Sequence, residues 1–201
     1  MLTPANAAGL SWTAWIVSWF VAALWRAPAV RRAGGRAEAL HLLITIAGFA
    51  ILFDGRLLAR YGGWARVHQA LADVLPDWSF APPVQWALFG LVAAGFLFCW
   101  WARIYLGTLW SGSVTAKADH RIVDTGPYAL VRHPIYTGLL LSAFATAALY
   151  GTALAVLGAL LILLGFWIKA RLEERFLRTE LGAEAYDAYA RRVGMLVPGL
   201  R

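Results

Sequence analysis

The stretch IYTGLLLSAFATAALYGTALAVLGALLILLGFWI, residues 135–168, carries no charged side chain and has Gly151 near its middle. A membrane span needs about 20 apolar residues to cross roughly 30 Å of hydrocarbon. The run is too long for one span and short for two, since two helices of about 16 residues would each rise only about 24 Å. It therefore predicts a tight helical hairpin that turns near Gly151 and whose ends continue into polar structure.

The composition of the whole chain agrees with a membrane protein. Of the 201 residues, 61% are hydrophobic and 14% are charged, and the mean hydropathy is +0.62. The net charge of +7 lies in short clusters beside apolar runs, which favours flanks of membrane helices over nucleic-acid binding. Cys99 is the single cysteine, which excludes an intrachain disulfide and a thiolate metal site. We expect membrane lipids around the chain, no nucleic-acid partner and no bound metal.

Three more apolar runs precede the hairpin, at Gly9–Trp25, Ala39–Ala59 and Pro83–Leu106. The first run lacks a basic region before it, so we expect a retained span rather than a cleaved signal. A charged helical tail, Lys169–Arg192, follows the hairpin and is interrupted near Gly182. The predicted fold is an all-α integral membrane protein with about five transmembrane helices, the last two forming the hairpin, and a cytoplasmic C-terminal helical tail.

The distribution of Lys and Arg predicts the orientation. The loop after the first span, the segment Arg103–Arg132 and the tail are all basic. Five spans with the N-terminus outside place all three in the cytoplasm, in the inner membrane if the source is bacterial. We expect one membrane domain, 1–201, in which 1–83 supplies the N-terminal spans and 84–201 the functional half. The sequence leaves the oligomeric state open.

A set of polar motifs lies on the predicted cytoplasmic side. In order they are Gly126-Pro127-Tyr128, Val131-Arg132-His133-Pro134-Ile135-Tyr136-Thr137-Gly138, Glu173-Glu174-Arg175-Phe176-Leu177 and Tyr186-x-x-Tyr189, with Arg103, Gly107, Trp110, His120 and Val123 upstream. An isolated Arg-His pair would be an ordinary interfacial pair. Together, over roughly the last 100 residues, the motifs resemble the isoprenylcysteine carboxyl methyltransferase family and its phospholipid methyltransferase relatives.

The resemblance implies methyl transfer from S-adenosyl-L-methionine to a lipidic or hydrophobic acceptor at the cytoplasmic membrane face. The acceptor group would be a carboxylate, as in a prenylcysteine, or an amine. The implied cofactor-binding residues are Val123, Gly126, Tyr128, His133, Pro134, Tyr136, Glu173 and Glu174, and the catalytic candidates are Lys169, Arg171 and Glu173. The cofactor carboxylate suits His133 and the N–H groups at the helix start near Pro134, where the helix dipole favours an anion.

Helical spacing separates the two glutamates. At about 100° per residue, Glu173 shares a face with Lys169 and apolar side chains, which predicts that it faces a cavity. Glu174 falls on the charged face, where a solvated pair with Arg171 and Arg178 would explain it. Eukaryotic family members carry an arginine at the position of Lys169. Because Lys is a point charge and Arg a fork, it is open whether Lys169 or Arg171 orients the acceptor.

The sequence is also compatible with two other functions. One is an NADPH-dependent membrane reductase similar to sterol C14-type reductases, which carry related Arg-His-Pro-like segments. This chain is short and shows no extra spans of the kind that those larger proteins have, which lowers this alternative without excluding it. The other is a non-catalytic membrane interaction protein, in which the polar segments pack only against each other or against a partner.

Overall fold

The computed structural model describes residues 2–25, 31–32, 36–58, 66, 69–70, 73–74, 77–110, 115–116 and 122–200, and for residues 31–32, 36–37, 54–58 and 115–116 it describes the backbone alone. The motif member His120 and half of the predicted loop Arg60–Pro83 therefore lie outside the described residues.

The described residues form a set of helices. They are α1 (Pro4–Ala23), α2 (Arg36–Leu58), α3 (Pro82–Leu106) with a 3₁₀ turn (Gly107–Leu109), α4 (Pro127–Leu130), α5 (Pro134–Tyr150), α6 (Ala153–Leu181) and α7 (Ala183–Arg192). A two-residue antiparallel pair joins β1 (Arg31–Arg32) to β2 (Thr115–Ala116). Apart from this pair, every regular element in the described ranges is helical, as the sequence predicts.

Polar side chains and prolines fix where the helices begin. The Thr3 hydroxyl accepts a hydrogen bond from the Asn6 backbone N–H at 3.2 Å, and Pro4 begins α1. The Thr152 hydroxyl accepts from the Ala155 N–H at 3.1 Å at the start of α6. Both bonds satisfy an N–H group that has no partner within the helix.

The hairpin between α5 and α6 is confirmed, with Gly151 at its turn. Gly151 ends α5 at a φ of 65°, a conformation that side chains disfavour. Its carbonyl accepts from the Trp78 N–H at 2.9 Å, and a Cβ here would collide with the Trp78 carbonyl oxygen. The predicted tail is continuous with the hairpin, because α6 runs unbroken to Leu181. Its expected interruption lies at Gly182, which has a φ of 93°.

The long helices pack in two close pairs, with small residues at the crossings. On α2, a Cβ at Gly48 would lie 2.8 Å from the Ile162 backbone nitrogen of α6. On α3, a Cβ at Gly95 would lie 2.5 Å from the Gly138 carbonyl oxygen of α5. Small residues that let backbones approach are typical of helix pairs in membranes.

Helix α1 joins the pairs through an aromatic layer, defined here as Trp12, Phe49, Phe53 and Phe96. The Trp12 indole N–H donates to the Thr146 hydroxyl at 2.9 Å. Its ring meets Phe49 and Phe53 edge-on with centroids 5.4 Å apart, and Phe96 at 4.8 Å. Four helices thus meet at one buried indole.

Two helices in the described part of the chain are long and apolar enough to cross a bilayer, Pro82–Leu109 and Ala153–Leu181. Their outward faces carry large apolar side chains, among them Leu97 at 71% exposure and Ile104 at 61%. Exposed apolar faces of this kind are typical of lipid contact. The count of five spans, the cytoplasmic tail and the outside N-terminus stay predictions.

Candidate active site

A cavity of about 710 Å³ lies among α1, α2, α5, α6 and α7. Its inner end, next to the aromatic layer, is lined by Trp15, Phe49, Leu139 and Phe166; its middle by His133, Tyr136, Lys169 and Glu173; its outer end by Trp110, Val123, Tyr128, Tyr186 and Tyr189. The helix order places charged side chains between an apolar compartment and an aromatic one.

The C-terminal segment fixes the loop that leads into α5. The backbone N–H groups of Arg132 and His133 donate to the carbonyls of Gly194 at 2.8 Å and Met195 at 3.2 Å. The Thr137 hydroxyl donates to the Leu196 carbonyl at 2.7 Å. Backbone groups that would otherwise be unpaired near the helix start are thereby satisfied.

Arg132 forms the buried ion pair of the site. Its Nε and NH2 both lie 2.7 Å from Glu174 Oε1, and its NH1 donates to the carbonyls of Ala190 at 3.0 Å and Val193 at 2.5 Å. The side chains of Arg132 and Glu174 are 9% and 11% exposed. This pair ties α6 to the end of α7 and to the loop before α5.

The interpretation of Glu174 as a solvated residue is therefore wrong, and of its two predicted partners only Arg171 lies within ion-pair distance. Arg171 lies 3.9 Å from Glu174 and is half exposed, whereas Arg178 pairs with Asp187 at 2.7 Å. The helical wheel compares residues on one helix only, so it could not show an arginine arriving from another element.

Glu173 faces the cavity and is held by two neighbours. Its Oε1 accepts from the Tyr136 hydroxyl at 2.7 Å, and its Oε2 lies 3.4 Å from His133 Nδ1. His133 Nε2 lies 3.4 Å from Glu174 Oε1. His133 thus bridges the two glutamates, so its nitrogens hold carboxylates of the protein itself in this structure.

The two glutamates favour the protonated form of His133. Burial alone lowers the pKa of His133, but the hydrogen bonds and negative charges of Glu173 and Glu174 outweigh burial and raise that pKa above its usual value. A protonated ring donates from both nitrogens. The protonated ring would therefore donate to both glutamates and hold the Glu173 carboxylate at the cavity wall.

Lys169 and Arg171 take different positions. Lys169 lines the cavity, with its Nζ 5.3 Å from the centroid of the Tyr136 ring. That ring stacks on Phe166, with centroids 4.9 Å apart. Arg171 does not line the cavity. Of the two candidate cations, the geometry places Lys169 beside Glu173.

Three tyrosines shape the outer end of the cavity. The Tyr189 hydroxyl donates to the Tyr128 carbonyl at 2.7 Å, and Tyr186 meets Tyr189 edge-on at 6.1 Å. Burial raises the pKa of all three hydroxyls well above the usual tyrosine value. They therefore stay protonated and offer aromatic faces and neutral hydroxyls.

Arg103 holds the wall formed by α1. Its NH2 donates to the carbonyls of Ala22 at 2.7 Å and Trp25 at 2.6 Å, and its guanidinium carbon lies 5.1 and 4.7 Å from the Trp25 and Trp110 ring centroids. The side chain is fully buried. This cation–π and carbonyl contact closes the end of α1 over the cavity.

Most of the predicted site residues meet at the cavity. Val123, Tyr128, His133, Pro134, Tyr136, Lys169 and Glu173 line it, whereas Gly126, Arg171 and Glu174 do not. Gly126 instead has a φ of 57° and packs against the Tyr105 ring, where a Cβ would lie 2.6 Å away.

Helix α1 contributes to the cavity, which the sequence does not predict. Trp15, Trp19 and Phe20 line the cavity, although the first 80 residues gave no signal beyond apolar helices. Arg132, Tyr186 and Tyr189 belong to the sequence motifs, but the sequence alone assigns them no role. For the two tyrosines a signal was present, because residues three apart lie on the same face of a helix.

Residues 87–179 match the sequence model of the isoprenylcysteine carboxyl methyltransferase (ICMT) family. The chain is 45% identical over 73 residues to methanethiol S-methyltransferase of Pseudomonas sp. (strain GM41(2012)), which is 35% of this chain and 26% of the relative. It is 33% identical over 100 residues to protein-S-isoprenylcysteine O-methyltransferase of Schizosaccharomyces pombe, 48% of this chain and 42% of the relative. The chain therefore spans well under half the length of these curated relatives. The resemblance stated from the motifs is confirmed.

Proposed function

We propose that this chain, whose residues 87–179 match the ICMT family, is a membrane methyltransferase that uses S-adenosyl-L-methionine and methylates a hydrophobic acceptor. The observation that carries the proposal is the order of the cavity's three parts. Charged residues of the matched segment, Lys169 and Glu173, lie between an aromatic outer end and an apolar inner end. That order suits a polar cofactor on one side of the reacting atoms and an apolar acceptor on the other.

The residues present fit the cofactor. A volume of about 710 Å³ falls in the range of roughly 300–1,000 Å³ for small-molecule sites. The faces of Tyr128, Tyr186 and Tyr189 would hold the adenine ring. Glu173 would accept hydrogen bonds from ribose hydroxyls or pair with the ammonium group. At the start of α5 the N–H of His133 already donates to the Met195 carbonyl and Pro134 has none, so only the helix dipole would favour the cofactor carboxylate there.

When bound, S-adenosylmethionine supplies a methyl group made electrophilic by a sulfonium sulfur. The protein's own part is alignment and electrostatics. Lys169 orients an anionic acceptor, and His133 acts as a positioning residue that fixes Glu173. A carboxylate acceptor needs no base, whereas a thiol or an amine gives up its proton, for which Glu173 is the acceptor within the cavity.

The acceptor reaches the cavity from the bilayer through a lateral mouth. Ile16, Phe20 and Leu42 line the cavity and are also 42%, 73% and 52% exposed. Apolar side chains that are open on one side and line a cavity on the other suit the passage of an apolar molecule. We propose that the outer end, with the cofactor, faces the cytoplasm.

We propose that the acceptor group is a thiol or a carboxylate. The relatives are named for a thiol, methanethiol, and for an isoprenylcysteine carboxylate, so both groups are candidates. Both are anionic when they react, which agrees with Lys169 at the cavity wall. The reductase and the non-catalytic alternatives are not favoured, because the matched relatives are methyltransferases.

Calorimetric titration of the purified protein with S-adenosylhomocysteine tests the proposal. We expect binding that is weakened by Glu173→Gln and unchanged by Glu184→Gln, a matched substitution on the exposed surface of α7. Binding of NADPH without binding of S-adenosylhomocysteine would overturn the proposal in favour of a reductase. Binding of neither would favour a non-catalytic protein.

A further inference from the structure

The outward face of α6 changes from apolar to cationic along its length. Several positions share this face, because at about 100° per residue they fall within about 80° of one another. From the hairpin turn outward they are Leu157, Leu160, Leu164, Trp167, Arg171, Arg175 and Arg178. All of them are exposed, the apolar side chains by 37–48%. The α6 stripe, as we name this set, therefore joins an apolar half to a row of arginines.

The α6 stripe matches the layers of a bilayer. From Leu157 to Trp167 the helix rises about 15 Å, half of the roughly 30 Å hydrocarbon core, and tryptophan is typical of the boundary with the headgroups. Arg171 and Arg175 follow about 6 and 12 Å beyond Trp167. Side chains of a helix lean toward its N-terminus, which for α6 is the end at the hairpin turn. Both guanidinium groups therefore reach back toward the headgroup layer.

Arg171 and Arg175 keep donors that can bind a ligand. Within the described part of the chain, no ion pair involves Arg175. Arg171 is 51% exposed and meets only Glu174, at 3.9 Å, a separation too long for a hydrogen bond. Arg178 differs, because it pairs with Asp187 at 2.7 Å. The two arginines nearest the apolar half are thus the ones whose guanidinium groups are open to an anion.

We infer that Arg171 and Arg175 bind the phosphate group of an anionic phospholipid, whose acyl chains lie along the apolar half of the α6 stripe. Guanidinium groups bind phosphate through pairs of parallel N–H donors. An acidic protein segment would satisfy the arginines but leave Leu160 and Leu164 uncovered, whereas a phospholipid covers both halves at once. The cytoplasmic leaflet carries the anionic lipids, which agrees with the proposed orientation of the chain.

The bound headgroup would lie level with the charged middle of the cavity. Lys169 and Glu173 stand two positions before and after Arg171 on α6, each turned about 160° away from it. Both line the cavity, so α6 carries the cavity residues on one side and the lipid-binding arginines on the other at nearly the same height. A lipid held by Arg171 would therefore keep the charged middle at headgroup depth. The inference does not depend on methyl transfer.

The test titrates the full chain in detergent micelles with palmitoyl-oleoyl phosphatidylglycerol and measures bound lipid by native mass spectrometry. Phosphatidylcholine with the same acyl chains is the control lipid. The test variants are Arg171→Gln and Arg175→Gln, and the controls are Arg178→Gln and Arg191→Gln, so that each variant removes one positive charge. Arg178 lies on the same stripe but is paired with Asp187, and Arg191 is exposed on α7. The unfolding temperature with and without each lipid is the second readout.

We expect wild type to bind phosphatidylglycerol saturably and to unfold at a higher temperature with it, and phosphatidylcholine to do neither. Arg171→Gln and Arg175→Gln should each weaken binding by at least about tenfold, since a charge-assisted contact to phosphate is lost, and the controls by less than about twofold. Equal losses in all four variants would overturn the inference in favour of diffuse attraction to a cationic surface. Displacement of the lipid by glycerol phosphate at equal concentration, or binding of an oligoglutamate peptide in its place, would also overturn it. Failure of S-adenosylhomocysteine to bind would contradict only the proposed function.

Discussion

Glu173 and Glu174 are adjacent in sequence, yet substituting each by glutamine should impair a different property of the protein. Glu174 lies in the buried ion pair with Arg132 at 2.7 Å and does not line the cavity. Glu173 lines the cavity and accepts from Tyr136 at 2.7 Å. Glu174→Gln should therefore lower stability, and Glu173→Gln should lower ligand binding and turnover.

The size of the first effect follows from burial. Removing one partner of a buried ion pair costs about 3–5 kcal/mol. In Glu174→Gln the new amide would keep a carbonyl oxygen for Arg132, so we expect the lower end, about 3 kcal/mol. For a chain of this length, 1 kcal/mol moves the unfolding temperature by about 2–4 °C, which gives a fall of roughly 6–12 °C.

The effect of Glu173→Gln is expected in ligand affinity more than in stability. In Glu173→Gln the amide oxygen still accepts from Tyr136 and Glu174 remains beside His133, so stability should fall by less than in Glu174→Gln. The variant loses the charge that holds a ligand, and a hydrogen bond to a charged group contributes about 1.5–3 kcal/mol. We expect S-adenosylhomocysteine affinity to fall by about 10–150-fold.

Thermal unfolding followed by tryptophan fluorescence and calorimetric titration together measure both effects, with Glu184→Gln as the control. An unfolding temperature that falls as far in Glu173→Gln as in Glu174→Gln would refute the reasoning. So would a Glu174→Gln protein of normal stability that has lost ligand binding, because Glu174 would then be a ligand residue.

Three further outcomes are expected. Lys169→Met should lower kcat/KM for methyl transfer to anionic acceptors by at least about tenfold, because one charge-assisted contact is lost. Arg171→Met should keep kcat/KM near the wild-type value. Equal losses in the two variants would contradict this prediction. The pKa of His133 is raised in the folded protein, so protonation of this ring stabilises the fold. The stabilisation is complete below the pKa of about 6.5 in the unfolded chain, and it is lost as pH rises through the pKa in the folded protein. The unfolding temperature should therefore fall with rising pH in wild type and not in His133→Gln. Gly151→Ala should cost at least about 1–2 kcal/mol, because a Cβ meets the Trp78 carbonyl, while Gly90→Ala, which has open space, should cost nothing measurable by thermal unfolding.

The sequence predicts the parts of the fold that depend on local pattern. The hairpin turn at Gly151 follows from the length of an uncharged run, and the break at Gly182 follows from a glycine within a helical pattern. The cavity position of Glu173 follows from its spacing to Lys169 along one helix face. Each of these needs only residues that are close together in the chain.

The remaining features depend on contacts between distant residues. Arg132 and Glu174 are 42 positions apart, and no helical wheel relates them. The carbonyls of the 194–196 segment reach the loop before α5 only after α6 and α7 have folded back. Trp15 and Phe20 become cavity residues because of how α1 packs, and the near-uniform apolarity of α1 hides which face that is.

Methyl transfer from labelled S-adenosyl-L-methionine to a defined hydrophobic acceptor, catalysed by the purified chain, measures the proposed function most directly. Wild type should methylate short alkanethiols or N-acetyl-S-alkylcysteines, and Glu173→Gln should lose most of this activity while still unfolding cooperatively. Absence of labelled product from wild type with every thiol, carboxylate and amine acceptor, in a protein that unfolds cooperatively, would contradict it.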